Sequence, residues 1–349
     1  RQSFEYDTKY GKETVKGITT VAYSDYVFNP TFPDKFFSNE VGITTEKAYE
    51  RDSTYWDQIR PVPLSEEEQR KKFVQDSLTA IYTSEKYLDS VDAVFNKMTA
   101  LKILWFGIEH RNRHKKTQWY LSSLADLYEP IGAGGMRIGP GFDLFKKWEN
   151  EQWIDFNGDI TIGFNNADLR GSGRVYHRYN PKKFATWSVW YSRDAELINP
   201  WDAWLKTINR ENWYLNNQGG VWHNIEIVNG LFLGTGARLE RRSSFDSTFK
   251  FNTYFDEALD QGFPLQFAAY NALRTNVGLS YTPGQKYMTE PHRKVILGSL
   301  WPTFSIYWEK GWSGPFRSVV DYDYLSFEIE QEFQIGTMGK SKYRAKTGT

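Results

Sequence analysis

From about residue 130 onward the chain alternates apolar and polar residues with a period of two, the pattern of a strand with two unlike faces. In 159–165, Ile160, Ile162 and Phe164 oppose Asp159, Thr161, Gly163 and Asn165. In 324–335, Leu325, Phe327, Ile329, Phe333 and Ile335 oppose Tyr324, Ser326, Glu328, Glu330, Glu332 and Gln334. Leu231, Leu233, Ala237 and Leu239 in 231–241 oppose Arg238 and Glu240, and 272–281 sets Leu273, Val277, Leu279 and Tyr281 against Arg274, Asn276, Gly278 and Ser280. Further strands are expected at 136–148, 168–180, 183–193, 221–228, 295–309 and 339–349. Most of these runs are about nine to sixteen residues long. A globular strand has about five or six residues, and a tilted strand crossing a bilayer needs about 9–11. Length therefore favours a membrane-spanning sheet.

Composition carries the same tension. A mean hydropathy of −0.62 looks polar, yet the 349 residues include 14 Trp, 22 Tyr and 24 Phe. A transmembrane β-barrel reconciles the two, because only alternate residues face lipid while aromatic girdles raise the ring count. A carbohydrate-binding all-β protein is also aromatic-rich. Forty-three Lys+Arg balance 43 Asp+Glu, which removes the basic surplus that a nucleic-acid partner calls for. With no cysteine there is no disulfide scaffold, thiol nucleophile or thiolate metal site. No run reaches the ~18 apolar residues of a spanning helix. The chain starts at Arg1 with no signal-like apolar run, so a cleaved or shortened start is expected.

The polar face fits a wet interior. Arg170, Arg174 and Arg178 share one side of a strand, as do Glu328, Glu330 and Glu332, and Arg238 and Glu240 point the same way as their neighbours on theirs. Like charges in a dry sandwich core cost more than folding supplies. All eight are expected to face a barrel lumen, although a soluble sheet with one solvated face also accommodates them. Trp187, Trp190, Tyr191, Trp301, Tyr307 and Trp308 are expected in interfacial belts. Asn229-Gly230, Asn180-Pro181 and 336–339 read as tight turns, whereas 194–219 and 246–264 are long. Outer-membrane barrels keep long loops outside. With that orientation, 136–148 runs inward and 103–110 is expected as the outward strand preceding it. About eleven strands result, and since an open edge cannot sit in lipid, the natural chain is expected to continue past Thr349.

The first hundred residues differ. Short alternating pieces, interrupted by Pro30 and Pro33, suggest edge strands or an extended crossing segment. Ser65-Glu66-Glu67-Glu68 is a capping box, with carboxylates at the positive end of a helix dipole. Phe73, Val74, Leu78, Ile81 and Tyr82, then Tyr87, Leu88, Val91, Val94 and Phe95 after a restart at Ser84, predict a long amphipathic helix or helical hairpin over 65–98. Its apolar stripe is expected to pack on the rest of the protein. The fold class is thus all-β: a transmembrane antiparallel β-barrel over 101–349, preceded by a periplasmic α/β segment over 1–100.

The run Asp52–Glu68, containing Tyr55-Trp56 and Arg60-Pro61-Val62-Pro63-Leu64-Ser65-Glu66-Glu67-Glu68, resembles a Bacteroidota outer-membrane family known as domain of unknown function 5686. Asp89-Ser90-Val91-Asp92 and Leu239-Glu240-Arg241-Arg242 fit the same pattern, and the resemblance spans most of 45–349. It implies an outer-membrane barrel with periplasmic elements, a carboxypeptidase-regulatory-like domain before Arg1 and closing strands after Thr349. Family members tend to have "NTVEG" where this chain has Gly132-Ala133-Gly134-Gly135-Met136. The family has no agreed activity, so the resemblance implies location and architecture without a reaction.

No reaction emerges from the residues either. His110 and His114 have ligand spacing for a helix but lie in a basic run that reads as a solvated loop, and His177, His223 and His292 are scattered. Gly132, Gly134, Gly135, Gly139 and Gly141 precede no helix start, so they relieve crowding at a strand beginning rather than cradle a phosphate. No catalytic residue, metal ligand or cofactor is assigned. Trp201, Trp204, Trp213 and Tyr214, set among Asn and Arg in 194–219, could stack on sugars or cap a partner; the plainer reading has them packing over the barrel mouth. The expected role is non-catalytic: transport, assembly or scaffolding in the outer membrane. Lipid or lipopolysaccharide and other outer-membrane or periplasmic proteins are the expected partners, and nucleic acid is not. The rivals are a secreted all-β glycan-binding protein and a barrel-borne hydrolase.

Overall fold

The computed structural model describes residues 2–10, 13–23, 26–32, 36–129, 133–199, 210–246, 248–251, 264–336 and 339–349. It is mostly β. The hairpin β1 (Gln2–Tyr10) and β2 (Glu13–Val21) forms a sheet of its own. β3 (Glu40–Ile43) leads into α1 (Glu46–Glu50) and α2 (Ser53–Ile59), whose N-cap Asp52 accepts from the Tyr55 N–H at 2.9 Å. Both halves of the Ser65/Glu68 capping box form at the start of α3 (Glu66–Thr83). Ser84 then adopts an extended conformation and caps α4 (Glu85–Phe95) from the Tyr87 N–H. Of the two forms expected over 65–98, one long helix or two helices, the chain takes the second, because a serine that caps the second helix cannot continue the first.

The remaining strands are β4 (Ile108–Asn112), β5 (Thr117–Leu121), β6 (Tyr128–Glu129), β7 (Arg137–Ile138), β8 (Gly141–Lys147), β9 (Trp153–Gly163), β10 (Leu169–Asn180), β11 (Ala185–Leu197), β12 (Trp213–Val228), β13 (Leu231–Ser243), β14 (Tyr270–Tyr281), β15 (Lys286–Thr289), β16 (Lys294–Gly298), β17 (Thr303–Trp312), β18 (Tyr322–Ile335) and β19 (Gly339–Gly348). A 14-stranded sheet runs β19-β18-β17-β14-β13-β12-β11-β10-β9-β8-β5-β4, with β6 and β7 attached beside β9. Every pairing along it is antiparallel and links near neighbours in sequence. Among the described residues the sheet is open, with β4 and β19 as its edges.

Register sorts the side chains as the periodicity predicts. One face carries Leu144, Phe156, Val175, Val189, Val221 and Ala237 as directly opposed residues across β8 to β13. Ile225, Leu233, Leu279, Ile306 and Phe327 make a second such row from β12 to β18. Nothing among the described residues covers this face: Leu144, Phe156, Ile160, Leu169, Val189, Val221, Leu279, Ile306 and Phe327 are each between 39% and 54% exposed. Together they present on the order of 800 Å² of apolar surface, above the ~300–600 Å² of a typical soluble monomer's largest patch. From Leu231 to Leu239 on β13 the apolar stretch, at about 3.3 Å per residue, runs roughly 26 Å along the strand.

The two ends differ. Connections at 148–152, 181–184 and 229–230, with the longer 282–302 that carries β15 and β16, share one end, the short-turn end; 164–168, 198–212, 244–269 and 313–321 lie at the other, the long-loop end. Gly230 permits the tightest turn: its φ is +79°, and a Cβ there would lie 2.4 Å from the Thr282 carbonyl oxygen. Everything that ties residues 36–98 to the sheet meets the short-turn end. β3 pairs in parallel with β15 in a three-stranded sheet with β16, and α4 packs on β4.

Several expectations change. The strand expected at 136–148 breaks at Pro140 into β7 and β8. The one expected over 295–309 becomes β16 and β17 in different sheets, because Gly298 (φ +106°) and Pro302 interrupt it. Residues 102–106 form a π-helical turn rather than strand; β4 then runs towards the short-turn end and β5 is the outward strand. The α3 stripe does not pack on the protein: Phe73, Leu78 and Ile81 are exposed, since the break at Ser84 leaves α4 alone to dock. Trp190 and Tyr307 are not belt residues, because register puts them on the polar face with Ser188 and Glu309.

Candidate functional site

The polar face is the candidate site. At its centre lies Glu240 on β13, 1% exposed, which meets the Arg238, Arg242 and Arg274 guanidinium groups at 2.8, 3.0 and 2.6 Å. Arg238 and Arg274 stand directly opposite on β13 and β14. These like charges coexist only because the carboxylate lies between them, and an unpaired buried ion costs several kcal/mol. Arg274 Nε donates to the Tyr322 hydroxyl at 2.9 Å, Tyr322 donates to Glu309, and Tyr307 donates to the other Glu309 oxygen at 2.8 Å. Arg274 and Asn276 came from the sequence as polar-face residues, but the Tyr307–Glu309–Tyr322 bridge was missed. Its signal was the Tyr307/Glu309 alternation.

Glycines shape the wall beside this network. A Cβ on Gly220 would lie 3.1 Å from the Trp190 ring, and one on Gly236 2.7 Å from the Trp222 ring, so both indoles lie flat against the sheet. With Arg238, Asn276, Tyr307 and Glu309 they line a cavity of about 200 Å³. Hydroxyl-bearing small molecules suit such a lining of rings and hydrogen-bonding groups.

The three β10 arginines share the polar face but serve three separate partners. Arg170, 4% exposed, meets Asp168 at 2.8 Å and lies under the rings of Phe245 and Phe249, while Arg137 meets the same Asp168 at 2.9 Å. Asn166 and Lys250 exchange two hydrogen bonds of 2.8 Å, fastening residues 248–251 over this group. Arg174 lies 5.2 Å over Tyr176, itself stacked on Trp153. Arg178 donates to the Pro181 carbonyl oxygen at 3.2 Å and holds the turn. Glu328, Glu330 and Glu332 form a cross-strand ladder with the exposed Arg344, Lys342 and Lys340 at 3.0, 2.7 and 2.7 Å. Each such pair is worth about 0–1 kcal/mol. The matching cations alternate visibly in β19, a signal the sequence reading passed over.

Trp201 and Trp204 lie outside the described residues. Trp213 and Tyr214 are strand residues rather than loop residues, because β11 and β12 run on to Leu197 and Trp213. Tyr214 is buried with its hydroxyl donating to Glu196 at 2.7 Å, which withdraws its ring from any sugar.

At the short-turn end, buried Glu226 meets Lys294 at 2.6 Å and also accepts from Gln285 and the Gly230 N–H. Asp92 of α4 is buried against Arg111 at 3.0 Å and Arg113 at 3.4 Å. Burial pushes its carboxyl up, but the Arg113 N–H bond and the two guanidinium groups outweigh this and hold it below the usual range. One turn away, His114 meets Asp89 at 3.3 Å, and with Glu85 these groups lie within 4.8 Å of one another, a set that could hold a divalent cation. His110 instead packs against Trp119.

The class so defined is a large antiparallel sheet with one apolar and one polar face, anchored at its short-turn end to a helical segment. Residues 101–349 match the C-terminal domain of a family of unknown function, DUF5686, and the chain belongs to that family. No curated protein and no solved structure matches it.

Proposed function

We propose that the chain is an integral β-barrel protein of the outer membrane of a Bacteroidota-type bacterium, with residues 1–100 in the periplasm. Its role is non-catalytic: transport, assembly or scaffolding. The uncovered apolar face carries this reading. A surface of that size in water would drive aggregation, whereas acyl chains satisfy it over the roughly 25 Å that barrel bands occupy. The gathering of residues 36–98 at the short-turn end supports the orientation, since barrels keep short turns in the periplasm. No helix among the described residues is long and apolar enough to cross a membrane, so strands are what would cross it.

The absence of cysteine makes the test direct, because each introduced thiol is unique. Cysteines placed singly at 327, 328, 329 and 330 are labelled with a fluorophore in reconstituted vesicles. Positions 327 and 329 should be quenched by lipid-borne quenchers, and 328 and 330 by aqueous ones. Equal aqueous quenching at all four, or recovery of the protein in the soluble fraction without detergent, refutes the barrel.

A further inference from the structure

The apolar face is interrupted near its long-loop end by two arginines. Arg193 on β11 and Arg241 on β13 stand opposite Asn217 of β12 in one row across three strands, and both are exposed. Neither has an ion-pair partner among the described residues. Lys310, the cation of the same face on β17, behaves differently: it is matched by Asp323 at 2.8 Å and Asp321 at 3.1 Å. Below Arg193 the face is hollowed. Ile160, Leu169, Gly171, Gly173, Tyr191 and Arg193 border an apolar groove of about 400 Å³, a volume of the order of one acyl chain. Its floor exists because two β10 residues lack side chains. A Cβ on Gly171 would strike the Asp159 carbonyl oxygen at 2.3 Å, whereas one on Gly173 would meet nothing within 4 Å.

We propose that this is a binding site for a phosphorylated acyl lipid. The phosphate is held by Arg193 and Arg241, and one acyl chain lies in the groove over Gly171 and Gly173. The inference rests on the barrel reading and names a ligand for its outer surface. Arginines facing lipid without a carboxylate need an anion, and a planar guanidinium matches phosphate oxygens bidentately. Neighbouring strands lie about 4.8 Å apart, so two arginines on alternate strands stand about 10 Å apart, within the reach of their long side chains around one headgroup. Charge and groove are adjacent, as the head and tail of one amphiphile require. Tyr191, at the groove's side, suits the membrane interface.

The test is native mass spectrometry of protein purified in a phosphate-free detergent and mixed with lipid A, with phosphatidylglycerol, or with uncharged diacylglycerol. Adducts are expected with the two phosphorylated lipids and not with diacylglycerol. The double variant R193Q/R241Q should lose the adducts at least tenfold. Gly173→Leu should do the same by filling the groove, and the open space at that position lets it fold. Heat-modifiable gel mobility verifies that each variant is assembled. Equal binding of diacylglycerol, no adduct with either phosphorylated lipid, or assembled variants that bind as well as the parent would each overturn the site. Free inorganic phosphate competing as well as the lipids would also overturn it. A protein that needs no detergent would instead refute the barrel.

Discussion

Val221 sits at the middle of the apolar face, 51% exposed, between Val189 and Ala237 on the neighbouring strands. Replacing it with arginine separates the two environments this face could have. On a lipid-facing strand an arginine near the bilayer midplane costs about 2–4 kcal/mol, a fall of roughly 30- to 900-fold in the folding equilibrium. On a water-facing sheet the same change at a half-exposed site falls within about 0.5 kcal/mol of neutral. Gln218→Arg is the control on the same strand, because Gln218 lies on the polar face and contacts Glu196 at 2.7 Å. The assay is reversible urea unfolding in phosphatidylcholine vesicles, followed by tryptophan emission. Val221→Arg should lower the unfolding free energy by the stated amount and Gln218→Arg by less than about 1 kcal/mol. If Val221→Arg unfolds at the parent's urea concentration, the apolar face does not touch lipid and the reasoning fails.

Three further perturbations probe the supports. Asp92→Asn should loosen α4 from the β4–β5 turn by about 1–3 kcal/mol, read as faster hydrogen exchange over 84–98. Because the folded Asp92 carboxyl titrates lower than an unfolded one, its stabilisation is complete above about pH 4 and fades as pH falls further, a loss the Asn variant should not show. Glu226→Ala leaves buried Lys294 unpaired and should cost about 3–5 kcal/mol locally, seen as new protease cuts within 284–300; adding Lys294→Met should restore resistance. Gly230→Ala forces a side chain to φ +79° and towards the Thr282 carbonyl oxygen, so the 229–230 hairpin should lose at least about 1 kcal/mol in the same urea assay.

The faces of the sheet were legible in the sequence because alternation is a local property: Ile160 and Glu328 declare their sides without knowledge of their neighbours. Strand limits were less so. Trp213 and Tyr214 read as loop because the polar run Asn216-Asn217-Gln218 masks the period, and pairing with Leu197 and Glu196 of β11 holds them in the ladder. The Glu240 cluster needed cross-strand register, which brings Arg274 from 34 residues away to 2.6 Å. The helix break at Ser84 was visible as a cap, but the resulting exposure of Phe73 and Ile81 was not, since amphipathicity states which face is greasy and says nothing of what meets it.

The parallel pairing of β3 with β15 has a mechanical consequence. Tyr287 N donates to Asn39 O at 2.9 Å, Thr44 N donates to Thr289 O at 2.8 Å, and Thr289 also bonds Glu40. A pull exerted on the segment ahead of Asn39 would reach the β15–β16 hairpin through these bonds and pass by way of Lys294 to Glu226 at the foot of β12. Load applied on that side of the protein is thereby handed to the middle of the strand array.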